Sequence, residues 1–363
     1  MSSQINVILL FGGRSAEHEV SILSARSVAN AAPKDRIAFT PVCVARDGRF
    51  VAPERSARIL AGEEKGLEGD GDFFFENWAR TAEVDVVFPL IHGTGGEDGS
   101  LQGYLELLGL PYVGSGVTAS AVGMDKVHMK QAFAAAKLPM VDYVAVLEHE
   151  WQHERERVTR AVANALRLPY FVKPANSGSS VGVTKVKNDR DLAKAVEHAL
   201  RFDEKVLVER GVDARELEVA VLGNEKPEAS VPGEIIAGAD FYDYADKYVS
   251  NKSQLVIPAK LASDKSAELR RMAVAAFKAI GAAGFARVDF FLERGTNRLY
   301  LNEINTIPGF TSISMYPKLW EATELKYARL IERLIQLGIE RSKTRAARSV
   351  STMKWFDEAT SLT

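Results

Sequence analysis

The sequence predicts an α/β first domain built on a doubly wound parallel sheet, followed by two α+β units. Three observations carry this. Apolar runs at 5–11, 37–45 and 84–91 are continuous instead of alternating, as expected of strands buried on both faces. A helical pattern from His18 to Ala31 separates the first two runs, the strand–helix–strand order that gives a parallel sheet. Past residue 123 the order changes to strand, loop, strand, helix, strand, and later strands alternate polar and apolar residues. The reading divides the chain into 1–123, 124–212, 213–343 and a polar tail, 344–363.

Composition narrows the functional classes. The chain has 363 residues, 46% apolar and 26% charged, enough to bury several cores. Its net charge is −2 with the signs interspersed, so neither nucleic acid nor an anionic membrane surface is an expected partner. A lone cysteine, Cys43, lies in the apolar run PVCVA and excludes an internal disulfide framework. The first residues, MSSQINVILLFGG, lack the basic start of a signal peptide, and no apolar run approaches the ~20 residues of a membrane span. A cytoplasmic protein is expected.

The elements follow in order. Loops GGRSAEHEVS and HGTGGEDGS follow the first and third strands, at the ends where parallel sheets collect ligands. Residues 53–77 read as an excursion of loop and short helix without an assigned role. Helices are expected at 97–108 and, after the turn GSG, at 119–137. In the second unit a polar helix covers 150–166, and Asp189 is expected to cap a helix over 191–201. The third unit opens with ELEVAVLGN. A long loop at 238–259, a helix at 263–283 and a helix at 320–337 complete it.

The stretch 285–310, FARVDFFLERGTNRLYLNEINTIPGF, reads as two strands joined at Gly295. Period-2 geometry puts Arg287 and Asp289 on one face of the first strand, and Glu303 and Asn305 on one face of the second. If those faces coincide, two carboxylates and an amide oxygen meet beside a guanidinium. Oxygen ligands suit a hard cation such as Mg²⁺ that also takes phosphate. The alternative is a solvated outer face.

Other motifs carry paired readings too. Lys173, ending a strand before PANSGSSVG, offers phosphate a point charge and backbone N–H groups, or it begins an ordinary hairpin. No G-x-x-x-x-G-K-[ST] is present, which excludes a P-loop. Glu209 in VLVERGV lies on an expected edge strand, facing a base or solvent. Lys126 is a surface lysine at a helix start unless context says otherwise. Lys247 and Tyr248 lie in the long loop, as a lid or as exposed side chains. His92 is a substrate contact or a helix-start hydrogen bonder.

Taken together and in register, GGRSAEHEVS, HGTGGEDG, MDK, VKPANSGSSVG, VLVERG, FYDYADKY, ARVDFF and NEINTIPGFTSISMYP resemble the D-alanine–D-alanine ligase family of the ATP-grasp superfamily, from Ile5 to about Gly338. The resemblance implies a pre-ATP-grasp domain followed by a two-part ATP-grasp fold. It further implies ATP-dependent ligation of two D-alanine molecules through a D-alanyl phosphate, serving peptidoglycan precursors. Asp289, Glu303 and Asn305 would hold two Mg²⁺ ions, with Mn²⁺ as a substitute. Lys126, Lys173, Lys247 and Ser180 would meet the ATP phosphates. Glu209, Arg210, Gly211 and Val212 would line the adenine pocket, with Glu216 on the ribose. Arg287 and the Gly309 N–H would stabilise the oxyanion. Glu17, His92, Ser314 and Met315 would bind the first D-alanine, and Glu17, Ser179 and Tyr248 match a hydrogen-bonded trio. A homodimer is implied as well. Met315 departs from the Leu of many relatives, a volume-conserving change. Competing readings are a ligase taking D-lactate or another second substrate, another ATP-grasp ligase, a non-catalytic nucleotide-binding module, and a Rossmann dehydrogenase.

Overall fold

The structure is a computed structural model that describes residues 4–236 and 254–348. Strands β1 (Ile5–Gly12), β2 (Ile37–Val44), β3 (Phe50–Val51) and β4 (Val86–Pro89) form the first sheet in the order β3-β2-β1-β4. β1 pairs in parallel with both β2 and β4, and β3 closes one edge antiparallel. Val7, Leu9 and Phe11 enter one core while Ile8 and Leu10 enter another. Apolar side chains are therefore needed at every position from Val7 to Phe11, which explains the unbroken run there. Residues 53–77 have a structural role. They contain the helix Pro53–Ala61 and the start of Phe75–Thr81, and the Phe75 ring stacks on Phe50 at 4.7 Å over the second core.

The helix expected over 119–137 is two helices, Val117–Met124 and Lys126–Ala135. Asp125 separates them because its carboxylate accepts from the Val127 and His128 N–H groups, at 2.9 and 3.1 Å, and so caps the second. The polar helix also divides, into Glu148–His153 and Arg155–Ala165. Strands β5 (Tyr143–Leu147), β6 (Tyr170–Pro174), β7 (Thr184–Val186) and β8 (Lys205–Arg210) make an antiparallel sheet in the order β5-β8-β6-β7. The expected cap Asp189 is displaced by Asn188, whose side chain accepts from Arg190 N–H at 3.1 Å. A 3-10 turn and the helix Leu192–Ala199 follow it.

The last sheet contains β9 (Ala214–Gly223), β10 (Glu228–Ala229), β11 (Gly233–Ile236), β12 (Gln254–Val256), β13 (Gly284–Glu293) and β14 (Leu299–Asn305). Its order is β12-β11-β9-β13-β14, with β10 on β9. Helix Ser263–Ala279 covers one face, where Leu269, Ala273 and Phe277 pack with Val288, Phe290, Leu301 and Ile304.

Strict alternation along β14 would have put Leu299 and Leu301 on the same face as Glu303. A bulge resolves the conflict. Pairing runs Asp289 to Glu303 and then Phe290 to Leu301, leaving Asn302 as the extra residue. The leucines stay in the core, and Glu303 and Asn305 turn to the open face.

The last described elements are helices Met315–Glu321 and Tyr327–Ala346, where one helix was expected over 320–337. Leu330, Leu334 and Leu337 share a core with Val7, Leu9 and Phe11. Among the described residues no helix is long and apolar enough to cross a membrane.

Candidate active site

The open face of the last sheet carries the expected charges in a specific order. Asp289 stands between Glu218 of β9 and Glu303 of β14, three carboxylates side by side across three strands. Arg287 stands one step along, opposite Asn305. Its guanidinium forks onto Asp289, with both N–H···O distances at 2.7 Å, and lies 3.1 Å from Glu218. Burial opposes its charge, but Asp289, Glu218 and Glu303 outweigh that and raise its basicity further. The donors on this face are oxygens only, as a hard cation requires. Among the described residues no three His, Cys, Asp or Glu side chains form a metal cage by themselves. A cation here would need ligands from elsewhere, as phosphate oxygens would provide.

The loop between β6 and β7 is held at both ends. At its base, Lys126 Nζ donates to the Ser177 carbonyl at 2.7 Å, so this lysine is not a loose surface charge. At its tip, Ser179 Oγ donates to the Glu17 carboxylate of the first domain. Ser179 and Ser180 are both left-handed, at φ +49° and +61°, a conformation that costs L-residues roughly 1–2 kcal/mol each. Gly93 and Gly178 leave room for Glu17. A Cβ on either would stand 2.9 or 2.8 Å from Glu17 Oε2.

Glu209 does not lie on an edge strand. β8 is interior, paired with β5 and β6, and Glu209 is 2% exposed. Lys130 Nζ lies 2.6 Å from its Oε1, and Lys173 Nζ lies 2.5 Å from its Oε2. Burial pushes the Glu209 carboxyl up, but the two ammonium groups overcome this and hold it at about 2. For Lys173, burial is outweighed by Glu209, with Glu303 and Glu216 adding, so its pKa is raised. The Arg210 side chain turns away from Glu209, toward Glu293 at 3.4 Å and over the Tyr300 ring at 5.5 Å. Gly211 is required by close approach, since a Cβ there would meet the Pro169 carbonyl at 2.9 Å.

The first domain contributes His92, buried after β4. Its Nδ1 is 3.0 Å from the Ile307 carbonyl and its Nε2 is 2.9 Å from Ser24 Oγ. Burial opposes a charge on the ring, but Glu97, with Glu17 adding, carries its pKa above the ordinary value. The loop after β14 is pinned at Phe310, whose N–H donates to Ser24 Oγ at 3.3 Å and whose carbonyl accepts from Tyr327 at 2.5 Å. Phe310 also meets Phe88 and Phe285 edge-on, at 6.1 and 5.8 Å between ring centres. Gly309 is thereby fixed opposite Ser314, which would stand 3.2 Å from a Cβ at that position.

Comparison with known proteins places this arrangement. Family models described as D-ala D-ala ligase N-terminus and D-ala D-ala ligase C-terminus match residues 6–115 and 132–336. The chain belongs to the D-alanine–D-alanine ligase family. It is similar to the D-alanine–D-alanine ligase of Chloroherpeton thalassium, 45% identical with 95% of this chain and 99% of the relative covered. It is likewise similar to the one of Halothermothrix orenii, 46% identical with 93% and 99% covered. Among solved structures, the D-alanine–D-alanine ligase from Coxiella burnetii matches with a TM-score of 0.80 and 34% identity over all of both chains. The VanG D-Ala:D-Ser ligase from Enterococcus faecalis matches with 0.81 and 31%, covering 93% of this chain and 100% of that one. The D-alanine–D-alanine ligase family makes the chain an enzyme of the ligase class, with the ATP-grasp fold.

Several expected site residues lie near one another. Glu17, Ser179 and Lys126 meet at the serine loop, Arg287, Asp289 and Glu303 sit side by side on the last sheet, and Lys173 feels the charge of Glu303. Ser314 is occupied by Thr311, whose N–H donates to its Oγ at 3.1 Å. The Met315 side chain is in the core, so a substrate contact at this position falls to its backbone. Arg210, with its side chain on Glu293, likewise has only its backbone to offer a base. Lys247 and Tyr248 lie outside the described residues. Sequence reasoning placed Lys130 at a helix start beside Lys126 but gave no role to it, to Glu218 or to Glu97. Signals existed for two of them: Lys130 is one helical turn from Lys126, and Glu218 shares its strand face with Glu216.

Proposed function

We propose that the chain uses ATP to activate the carboxylate of one D-alanine and joins it to the amine of a second, forming D-alanyl-D-alanine for peptidoglycan precursors. The observation that carries this is the pairing of Glu303 with Asp289 across β13 and β14, with Arg287 forked onto Asp289 and Lys173 in the field of Glu303. This supports a lysine for phosphate, carboxylates for metal and a guanidinium for an oxyanion in one site.

The chemistry requires such convergence. A carboxylate oxygen of the first D-alanine attacks the γ-phosphorus, the bond to the β-phosphate oxygen breaks, and ADP leaves. The amine of the second D-alanine attacks the acyl carbon, gives up a proton, and inorganic phosphate leaves. Glu17, His92, Ser314 and the Met315 backbone hold the first D-alanine. Arg287 and the Gly309 N–H receive the oxyanion, a donor set in which one loss typically costs ~2.7–4 kcal/mol of barrier. Lys126, Lys173, Lys247 and Ser180 contact phosphates, Glu209 to Val212 line the adenine pocket, and Glu216 holds the ribose. Glu17, Ser179 and Tyr248 match the family's hydrogen-bonded trio, and a site closed over it would keep water from the acyl phosphate. Asp289, Glu303 and Asn305 would hold Mg²⁺, as two ions replaceable by Mn²⁺, and the metal would supply charge to neutralise the phosphates.

The protein works in the cytoplasm as a homodimer. The resemblance that implies the homodimer also implies pairing through the first domain. Sedimentation at equilibrium tests this, and a monomer at all concentrations rejects it. The activity test is phosphate release from ATP and Mg²⁺ with D-alanine, read with dipeptide formation. No release above the amino-acid-free blank rejects the function, and preferred use of D-lactate or D-serine as second substrate replaces it with the neighbouring specificity.

A further inference from the structure

We propose that Lys130 is a positioning residue for the nucleotide, supplying the charge that allows Lys173 to leave Glu209 for phosphate. The inference rests on the reading of Lys173 as a phosphate contact.

Lys130 has no surface role, being 1% exposed. It projects from helix Lys126–Ala135 onto Glu209 at 2.6 Å and lies over the Tyr143 ring at 5.5 Å. Glu209 holds Lys130 on one oxygen and Lys173 on the other. Lys173 is the more accessible of the two lysines, and it lies in the field of Glu303 and Glu216 on the facing sheet. To serve phosphate, its ammonium group must move off Glu209. If Lys173 were the sole counter-ion, that move would strand a buried carboxylate, a strongly unfavourable state. Lys130 remains behind and removes the obstacle. The same helix presents Lys126 to the serine loop, so one element both anchors the loop and neutralises the carboxylate below it.

The test is calorimetric titration of the full chain with ATP and with adenosine, each with Mg²⁺, scored as the ratio of affinities. Adenosine lacks the phosphates, so the ratio cancels changes in the adenine pocket and isolates what Lys173 adds through phosphate. Lys130→Met is expected to lower the ATP-to-adenosine ratio about tenfold or more, the effect of one charge-assisted hydrogen bond. Lys130→Met with Glu209→Gln is expected to restore it, because no carboxylate then holds Lys173. A merely structural lysine would weaken both ligands alike. An unchanged ratio in Lys130→Met, or a lowered ratio that the double variant leaves low, overturns the proposal. Should Lys130→Met not fold, Glu209→Gln alone decides. A ratio at or above the unsubstituted protein's supports the proposal, and a lower one overturns it. If the unsubstituted protein binds ATP no better than adenosine, the phosphate reading of Lys173 fails, and this inference falls with it.

Discussion

Ser179 donates a hydrogen bond to Glu17 across 162 residues of sequence. The bond joins the first domain to the serine loop and helps hold two consecutive left-handed serines in place. Ser179→Ala removes it while leaving the fold's cores untouched. We expect kcat/KM for D-alanine to fall by at least about tenfold, the scale of a hydrogen bond to a charged group, with little change in Tm. Ser179→Gly should lose as much, although glycine relaxes the backbone, because the bond and not the conformation is what is missing. Full activity in either variant would remove the bond from the mechanism.

Gly178→Ala tests the same carboxylate from the other side. Its methyl group would stand 2.8 Å from Glu17 Oε2, so the carboxylate or the loop must move. Turnover should drop severalfold or more while urea unfolding changes by under about 1 kcal/mol, since the loop buries little. Gly93→Ala adds strain at φ +76° to a similar collision and should lose both activity and stability. Equal behaviour of the two variants would contradict this difference.

The buried triad sets a pH dependence. The Glu209 carboxyl is lowered from 4.5 to about 2, so it contributes stability at neutral pH that is lost as pH falls from about 4.5 toward 2. The full shift corresponds to on the order of 3 kcal/mol. Lys173 has the opposite sign. Its raised pKa contributes stability below the ordinary lysine value, lost as pH rises through the raised one. Urea unfolding across the acid range should therefore fall less steeply for Glu209→Gln than for the unsubstituted protein. Parallel acid limbs would show that the triad does not titrate as described.

Asp289 and Glu303 are adjacent across β13 and β14, and Arg287 already grips Asp289. Asp289→Asn and Glu303→Gln should each reduce turnover at least about a hundredfold, as loss of a charge-neutralising ligand implies. Tm should shift little, because Arg287 keeps Glu218 at 3.1 Å. Chelation with EDTA should abolish phosphate release, and added Mg²⁺ should restore it. Activity that survives chelation would exclude the metal assignment.

The main sheets and the charged face of the candidate site were legible because each has a local signature. Continuous runs marked β1, β2 and β4, and period-2 charges marked Arg287 and Asp289. The helix break at Asp125 was missed because MDK sits within an otherwise helical pattern, and only the capping geometry ends the first helix. The position of β8 in its sheet was misjudged because nothing in VLVERG reports which strands flank it. The role of Lys130 was overlooked for the same reason, since its partner Glu209 is distant in sequence and buried by tertiary packing. The β14 register was harder still. Alternation alone assigned Leu301 and Glu303 to one face, and the bulge at Asn302 separates them.

The shared core of the first strand and the last helix has a consequence for synthesis. Val7, Leu9 and Phe11 leave the ribosome more than three hundred residues before Leu330, Leu334 and Leu337, which complete the same core. Until then Ala25, Val28 and Ile59 of the nearby helices cover that core only in part, and the remaining apolar surface invites chaperones or aggregation. A fragment ending at residue 123 would lack the rest of it. The order of translation thus has the first domain made early and completed late.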